Sequence, residues 1–198
     1  MLGCFGGLTF AIVIQLFFAN LSPAPCRKGF GFAQIFSSML MAFSHGSNDG
    51  QKFMGAFALA LLLGGVTVSF EVPVWVIMLC ALVMGLGTSI GGMRIIKTMG
   101  FKMVKLETYQ GFSAEAGAAA TILIASSFGV PLSTTHTINT AIVGVGLARS
   151  RNSVDWGTVL KVVAAWVLTF PACGTIAFVA AKLALGYSLI ELENMITK

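Results

Sequence analysis

The sequence predicts an all-α protein that crosses a membrane several times. Of its 198 residues, 57% belong to the hydrophobic set AVILMFWYC and only 10% are Asp, Glu, Lys or Arg, whereas a soluble domain carries about 25% charged residues. Mean hydropathy is +0.91, and several apolar stretches approach or exceed the ~20 residues that a helix needs to span the hydrocarbon core. This apolar composition excludes a disordered protein, a disulfide scaffold and a nucleic-acid-binding domain. It also argues against a soluble enzyme.

Apolar segments separated by short polar stretches predict the transmembrane helices. In chain order they cover residues 1–20, 32–70, 72–93, 111–128, 137–147 and 159–185. Residues 94–107 form a basic loop. Because basic loops stay on the cytoplasmic side of a membrane, this loop is expected in the cytoplasm. Residues 108–148 then enter from the cytoplasm and return to it, either as a re-entrant hairpin or as two full spans.

Two polar stretches interrupt these segments. A continuous helix over residues 32–70 would be about 58 Å long at ~1.5 Å per residue, well beyond the ~30 Å hydrocarbon core. The segment is therefore expected to be broken, tilted or partly interfacial, and its polar string SHGSNDGQK at residues 44–52 predicts a break. The string GVPLSTTH at residues 129–136 predicts a second one. Irregular backbone at membrane depth survives only beside protein or a watery cavity; the alternative is that both strings are ordinary loops outside the bilayer.

The second interruption carries donors for an anion. Pro131 is expected to end the preceding helix, and the hydroxyl residues Ser133, Thr134 and Thr135 are expected to cap the next one. Three adjacent hydroxyls, together with the free amides of a helix N-terminus, suit a tetrahedral oxyanion. A pair of interrupted segments in one membrane protein is typical of the binding site of a secondary transporter.

Asp49 and Glu115 are the acids that lie inside apolar segments. A carboxylate at mid-membrane costs at least about 2.5–3.5 kcal/mol, so an unpaired one there usually has a function. With the Asn48 side chain and freed carbonyls, Asp49 is expected to supply oxygen ligands for Na⁺ or to carry a proton. Two alternatives stay open: an Asp49–Lys52 pair that neutralises itself at i,i+3, and a Glu115 that lies at the membrane interface. His45 fits a buried polar residue as well as it fits a ligand contact.

No residue pattern predicts a metal centre or an enzyme active site. The cysteines are scattered, and the two histidines, His45 and His136, are far apart in the sequence. No metal site is expected beyond Na⁺ at Asn48 and Asp49, and no cofactor is expected beyond the coupling ion. No nucleophile–base pair is recognisable, so the chain is not expected to be an enzyme.

Residues 44–52 closely resemble a signature of the inorganic phosphate transporter (PiT) family, and residues 130–136 resemble its second signature. The segment GTSIGG at residues 87–92 with Arg94, and GFSAE at residues 111–115, also fit the family. Order and spacing match across nearly the whole chain. The resemblance implies a symporter that takes up orthophosphate, with Na⁺ or H⁺ as the driving ion.

The resemblance also implies roles for individual residues. The coupling-ion ligands are Asn48, Asp49 and Glu115, and the phosphate ligands are Ser133, Thr134 and Thr135. His45 and Gln51 are implied to line the site. Glu115 matches an acid that transport in the family requires, and His45 matches a signature residue beside the site.

The chain carries one Asn-Asp signature and one hydroxyl-rich hairpin, whereas family members carry two inverted halves. Residues 1–198 are therefore interpreted as a single transmembrane domain, the second (C-terminal) half of an inverted-repeat transporter. The abrupt apolar start favours a fragment of a longer protein; otherwise another chain supplies the missing N-terminal half.

The expected partners follow from that interpretation. They are inorganic phosphate, Na⁺ or H⁺, membrane lipid and the missing half or a second chain, but not nucleic acid; a homo-oligomer stays open. The expected location is a multi-pass position in the plasma (inner) membrane. Two other functions stay open, a sulfate permease of the same fold and a non-transporting membrane subunit or half-assembly.

Overall fold

Six α-helices contain most of the residues that the computed structural model describes, which are residues 1–18, 23–130 and 132–196. The helices are α1 (Leu2–Phe18), α2 (Pro23–Leu63), α3 (Val74–Lys97), α4 (Thr108–Ser127), α5 (Thr134–Arg149) and α6 (Trp156–Ile196). The described residues form no strand, although Val104 and Val154 make an isolated antiparallel bridge. The predicted all-α class is confirmed.

The helices fall into two compact units, Met1–Asp155 and Trp156–Lys198. The first unit holds α1 to α5 and the second holds α6. Within the first unit α4 is central, in contact with α1, α2 and α5. The α4 side chains Ala114, Ala118 and Ala119 are at most 1% exposed, and such small residues let neighbouring helices approach closely. A single transmembrane domain over residues 1–198 stays a prediction.

Glycine contacts join α1 to α4 and α5. Gly6 on α1 lies so close to α4 that a Cβ atom there would be 2.9 Å from the Gly117 carbonyl oxygen. Gly7, one residue further along α1, lies against the backbone of Ala141 on α5. A side chain at either glycine would push the helices apart. These contacts therefore hold the α4–α5 pair in place against α1.

The α2 helix runs without interruption through residues 44–52, so the predicted break there is wrong. It extends over 41 residues, about 61 Å at ~1.5 Å per residue. Its polar residues cost up to about 0.7 kcal/mol each in a helix and its glycines about 1 kcal/mol. Packing against α4 and side-chain pairs at i,i+3 and i,i+4 oppose that cost, and the string holds no proline. Tilt or an interfacial position stays open for this segment.

The α4 and α5 helices are separated by a real break, and the second predicted interruption is confirmed. Gly129 has a φ of +70°, in the left-handed region that glycine adopts without strain. The Val130 N–H donates to the Ala125 carbonyl oxygen at 2.9 Å, a bond that closes the end of a helix. Pro131, which was expected to end α4, lies outside the described residues. Whether α4 and α5 form a re-entrant hairpin or two full spans stays a prediction.

Two of the described helices are long and apolar enough to cross a membrane by length and composition, with spans at Val74–Met93 and Trp156–Leu183. The first lies in the third predicted apolar segment, and the second overlaps the last one but begins three residues earlier. The α1 helix is apolar but shorter, at 17 residues. The basic loop begins later than predicted, because α3 continues to Lys97 and a π-helical turn follows over Thr98–Met103.

Candidate functional site

One side of α2 carries four polar residues opposite the start of α5. His45, Asn48, Asp49 and Lys52 are spaced i, i+3, i+4 and i+7, which places them on one side of a continuous helix. We call these four residues the α2 polar face. Because α2 is unbroken, the four side chains are held in one register. Asn48 and Lys52 reach the Leu132 carbonyl oxygen. His45 and Asp49 reach the Thr134 hydroxyl.

The Asp49 carboxylate is surrounded by donors. Its Oδ1 lies 2.9 Å from Lys52 Nζ and 3.2 Å from Asn48 Nδ2, while its Oδ2 accepts from Thr134 Oγ1 at 2.9 Å. His45 Nδ1 is 3.4 Å from the same Oδ2. The Asp49–Lys52 pair, which the sequence left open as an alternative, is therefore present, but as one part of a larger network.

Thr134 connects His45 to Asp49. The His45 Nδ1 atom lies 2.7 Å from Thr134 Oγ1, whose single proton goes to Asp49. The Thr134 oxygen must then accept from His45, so the network assigns the imidazole proton to Nδ1. Thr134 is only 2% exposed. In this arrangement its hydroxyl proton is already engaged by the carboxylate.

The break before α5 frees a carbonyl that completes the cluster. The Leu132 carbonyl oxygen accepts from Asn48 Nδ2 and from Lys52 Nζ, both at 2.7 Å. Asn48 is 5% exposed, so its amide is fixed by this bond and by Asp49. The two predicted interruptions thus meet at one place, although only one of them is a break in the backbone.

The three hydroxyls at the start of α5 have different environments. Ser133 is the N-cap, as predicted, and its Oγ accepts from the His136 N–H at 3.4 Å. Ser133 and Thr135 are exposed, whereas Thr134 is buried against α2. The first amides of α5 and the positive end of its dipole lie beside the two exposed hydroxyls. This end of α5 can therefore donate several hydrogen bonds to one anion.

Glu115 belongs to a second polar centre. Its carboxylate accepts from Ser37 Oγ at 2.6 Å and from Ser38 Oγ at 2.9 Å, which joins α4 to α2. Ser37 precedes Asn48 on the same helix by eleven residues (48 minus 37), a distance of about 16 Å along the axis. Of the residues predicted for the ion site, Asn48 and Asp49 are brought together and Glu115 is not.

Gln51 is also apart from the cluster. It is exposed, and at i+2 from Asp49 it does not share the side of α2 that carries the carboxylate. Sequence reasoning missed the part played by Ser37, Ser38 and the Leu132 carbonyl. The serines of α2 had a usable signal, because two adjacent hydroxyls in an apolar segment are natural partners for a buried acid.

Asn139 on α5 is a further polar residue that sequence reasoning missed. It is 2% exposed, and both atoms of its side-chain amide lack a hydrogen-bond partner among the described residues. Its amide inside the apolar segment 137–147 was a visible signal. An apolar pocket of about 520 Å³ lies elsewhere, lined by α1 and α4 residues such as Phe5, Phe10 and Ile124. That lining includes no charged residue, so the pocket does not suit an oxyanion.

Comparison with known proteins gives a consistent result. A model described as the phosphate transporter family (PHO4) matches residues 11–177. A probable low-affinity inorganic phosphate transporter of Rhizobium meliloti (strain 1021) is 43% identical over 171 residues, which make up 86% of this chain and 51% of that protein. Its counterpart in Bacillus subtilis (strain 168) is 40% identical over 169 residues, 85% of this chain and 51% of that protein.

A solved structure is also similar to the chain. It is described as the sodium-dependent phosphate transporter, is 33% identical in sequence and superposes with a TM-score of 0.65. The match covers 77% of this chain and 40% of that chain. The chain spans about half the length of the curated relatives that it matches.

A helical membrane protein with a polar cluster between a continuous helix and a helix break is the class that this fold and site define. The chain belongs to the phosphate transporter family, because the family model matches most of its residues. The resemblance found in its signatures is thereby confirmed, and membership makes it an integral membrane protein. The relatives carry the names of transporters rather than of enzymes.

Proposed function

We propose that this chain is one half of a symporter that carries inorganic phosphate across the membrane with Na⁺. One observation carries the proposal: Asn48 and Asp49 of α2 meet the freed Leu132 carbonyl and the N-terminus of α5 at one place. An oxygen-rich cluster next to a helix N-terminus can hold a cation and an anion side by side. The similarity to a sodium-dependent phosphate transporter supports Na⁺ as the ion.

The cation is assigned to Asn48 and Asp49. Hard cations prefer oxygen ligands, and this cluster offers the Asp49 carboxylate and the Leu132 carbonyl, which Asn48 Nδ2 holds side by side. Na⁺ at this position would neutralise Asp49. H⁺ is the alternative coupling ion, and it would neutralise the same carboxylate by direct protonation.

Phosphate is assigned to the start of α5. Ser133 and Thr135 are exposed and lie beside the N-terminal amides of α5, which suits an anion with four oxygens. The Thr134 hydroxyl can donate to phosphate only after its hydrogen bond to Asp49 is broken. A cation on Asp49 competes for the carboxylate lone pairs and weakens that bond. Binding of the cation would thus prepare the third hydroxyl for phosphate.

Glu115 is assigned to a separate coupling-ion position. Its carboxylate and the hydroxyls of Ser37 and Ser38 offer oxygen ligands on the α2–α4 contact, about three helical turns from Asn48. His45 positions Thr134 rather than touching phosphate directly. Gln51 lines the approach to the site only if α2 faces a second half on that side.

The remaining half of the cavity must come from elsewhere. The matched residues make up about half of each relative, and an inverted second half would close the site and allow alternating access. That half is supplied either by the same polypeptide or by a second chain, and we place the assembly in the plasma (inner) membrane. No cofactor is proposed beyond the coupling ion.

The test is uptake of radiolabelled phosphate into proteoliposomes that hold the complete transporter, meaning this chain together with the half that completes it. Sodium and proton gradients are imposed separately. We expect uptake to follow the Na⁺ gradient; uptake that follows only the proton gradient would replace Na⁺ by H⁺. Sulfate uptake that is indifferent to phosphate would overturn the proposed substrate.

The matching variant is Asp49→Asn, which keeps the size of the side chain and removes its charge. We expect it to abolish ion-coupled uptake while membrane insertion is unchanged, because the cation loses its only charged ligand at this position. Glu71→Gln is the control, since Glu71 is an exposed acid in the turn between α2 and α3. Normal coupled uptake by Asp49→Asn removes Asp49 from the mechanism.

A further inference from the structure

The Lys52 ammonium lies at the position where the coupling ion would bind. Its Nζ atom is 2.9 Å from Asp49 Oδ1 and 2.7 Å from the Leu132 carbonyl oxygen. These are two of the oxygens that the proposed function gives to Na⁺. Two cations cannot share this space, because each would need the same lone pairs and they would repel each other at short range.

We propose that Lys52 is a tethered cation that competes with the coupling Na⁺ for the oxygens of Asp49 and Leu132. The inference rests on the proposed function, since it assumes that Asp49 binds the ion. Na⁺ enters by displacing the ammonium, and the ammonium returns when Na⁺ leaves. The Asp49 carboxylate is then never left as an unpaired charge inside the membrane, where such a charge is costly.

The side chain of Lys52 is suited to this exchange. It is 39% exposed in this chain, so its head can leave the two oxygens without a movement of α2. Lysine carries a compact, strongly hydrated charge on a flexible stem, which makes release into solvent inexpensive. Asn48, by contrast, is 5% exposed and keeps its place beside the same two oxygens. The ammonium is the mobile member of the cluster and the amide is the fixed one.

Competition predicts that loss of the Lys52 charge tightens Na⁺ binding. In Lys52→Met the stem is kept and the ammonium is removed, so Na⁺ no longer has to displace a resident charge. We expect the Na⁺ concentration that gives half-maximal phosphate uptake to fall about twofold to fivefold, the range for a partly exposed ion pair. Lys52→Arg keeps a positive charge and should leave that concentration within about twofold of the original.

The assay uses the complete transporter in proteoliposomes, with Lys105→Met as the control. Lys105 is an exposed lysine in the loop before α4, and its loss should not change the Na⁺ dependence. An Na⁺ dependence of Lys52→Met that equals the original overturns the inference. If Asp49→Asn abolishes coupling in the same experiment, the proposed function stands and only the role of Lys52 falls. If uptake by the original protein ignores Na⁺, the inference falls, and the proposed function loses Na⁺ as its coupling ion.

A second measurement needs no variant and so does not depend on a variant's folding. Lysines of the original protein are modified with a water-soluble amine reagent at low and at high Na⁺, and each site is quantified by mass spectrometry. We expect Na⁺ to increase modification of Lys52 at least about twofold, because displacement frees the ammonium, and to leave Lys105 unchanged. Modification of Lys52 that Na⁺ leaves unchanged or decreases overturns the inference.

Discussion

Residues 44–52 and residues 129–136 are both polar, glycine-containing strings between apolar segments. The α2 helix passes straight through the first string, whereas the chain leaves the helix in the second and starts another at Thr134. The first string presents its side chains in register on one side of a helix. The second presents the Leu132 carbonyl oxygen, which accepts from α2, and the first amides of α5. The site needs both kinds of group, and it forms where they meet.

The difference shows that polarity alone does not end a helix. Gly46 and Gly50 remain helical, at a cost of about 1 kcal/mol each relative to alanine. The helix is held by α4 before them, through Ser37 and Ser38, and by α3 after them, through Phe57. Gly129 differs because its φ is +70° and the helix-closing bond to Ala125 accompanies it. A helix ends where the backbone has an alternative set of partners.

The largest expected effect comes from forcing a break into α2. Gly46→Pro removes a backbone donor and clashes with the preceding turn, which costs about 3 kcal/mol or more inside a helix. It also moves the α2 polar face, on which His45 and Asp49 lie, out of register with Thr134. We expect a large loss of stability to denaturant in detergent micelles, and no coupled phosphate uptake.

Gly46→Ala is the matched control at the same position, where an added Cβ would meet nothing within 4 Å. A Gly46→Pro protein with the original stability and uptake would show that α2 is broken there, as the sequence alone suggested.

A smaller effect is expected from cutting the link between the two strings. Thr134→Val keeps the shape of the side chain but removes the bond to Asp49 and the acceptor for His45. A hydrogen bond to a charged group contributes about 1.5–3 kcal/mol. We therefore expect the phosphate concentration that gives half-maximal uptake to rise at least about tenfold. Thr134→Ser, which keeps the hydroxyl, should restore most of the affinity.

Replacing Ser133 and Thr134 together by alanine extends this test. We expect the affinity for phosphate to fall more than the affinity for the coupling ion, because both hydroxyls belong to the anion side of the site. Equal losses in the two affinities would instead indicate that the start of α5 has collapsed.

The smallest effect, and the most direct comparison of the two strings, comes from one alanine in each. Gly46→Ala should raise the free energy of unfolding by about 1 kcal/mol, since alanine is the better helix former. Gly129→Ala should lower it by about 1–2 kcal/mol, because a Cβ is unfavourable in the left-handed region. Denaturant unfolding in detergent measures both. Changes of the same sign would mean that the two strings have the same backbone conformation.

Much of the fold followed from the sequence, and the errors have a physical cause. Apolar segments placed the helices, and the string at residues 129–136 predicted the break, with Ser133 among the hydroxyl residues expected to cap the next helix. The helix end itself was assigned to Pro131, whereas the structure shows the helix-closing turn at Gly129. The break expected at residues 44–52 did not form, because single-residue propensities of a few tenths of a kcal/mol to about 1 kcal/mol are overridden by packing. The length of residues 32–70 also favoured a break, because it exceeds the hydrocarbon core. A 41-residue helix need not lie wholly within that core.

The residues of the candidate site were likewise predicted in part from the sequence. The sequence identified Asn48, Asp49 and Thr134 by their chemistry, because carboxylate, amide and hydroxyl groups are rare in such apolar surroundings. It grouped Glu115 with Asn48 and Asp49 as a coupling-ion ligand, whereas the contact between α4 and α2 pairs Glu115 with Ser37 and Ser38. Distances between helices depend on how their surfaces pack, and no local pattern encodes them.

The sequence by itself determined that this protein lies in a membrane as a set of helices, which polar residues it carries, and that the chain breaks before Thr134. These are local properties, set by hydropathy, backbone conformation and capping. Tertiary structure decided that α2 stays whole, that Lys52 and Asn48 share the oxygens of Asp49 and Leu132, and that Glu115 stands apart. Those outcomes depend on the sum of many weak contacts between distant segments, which only the packed chain brings together.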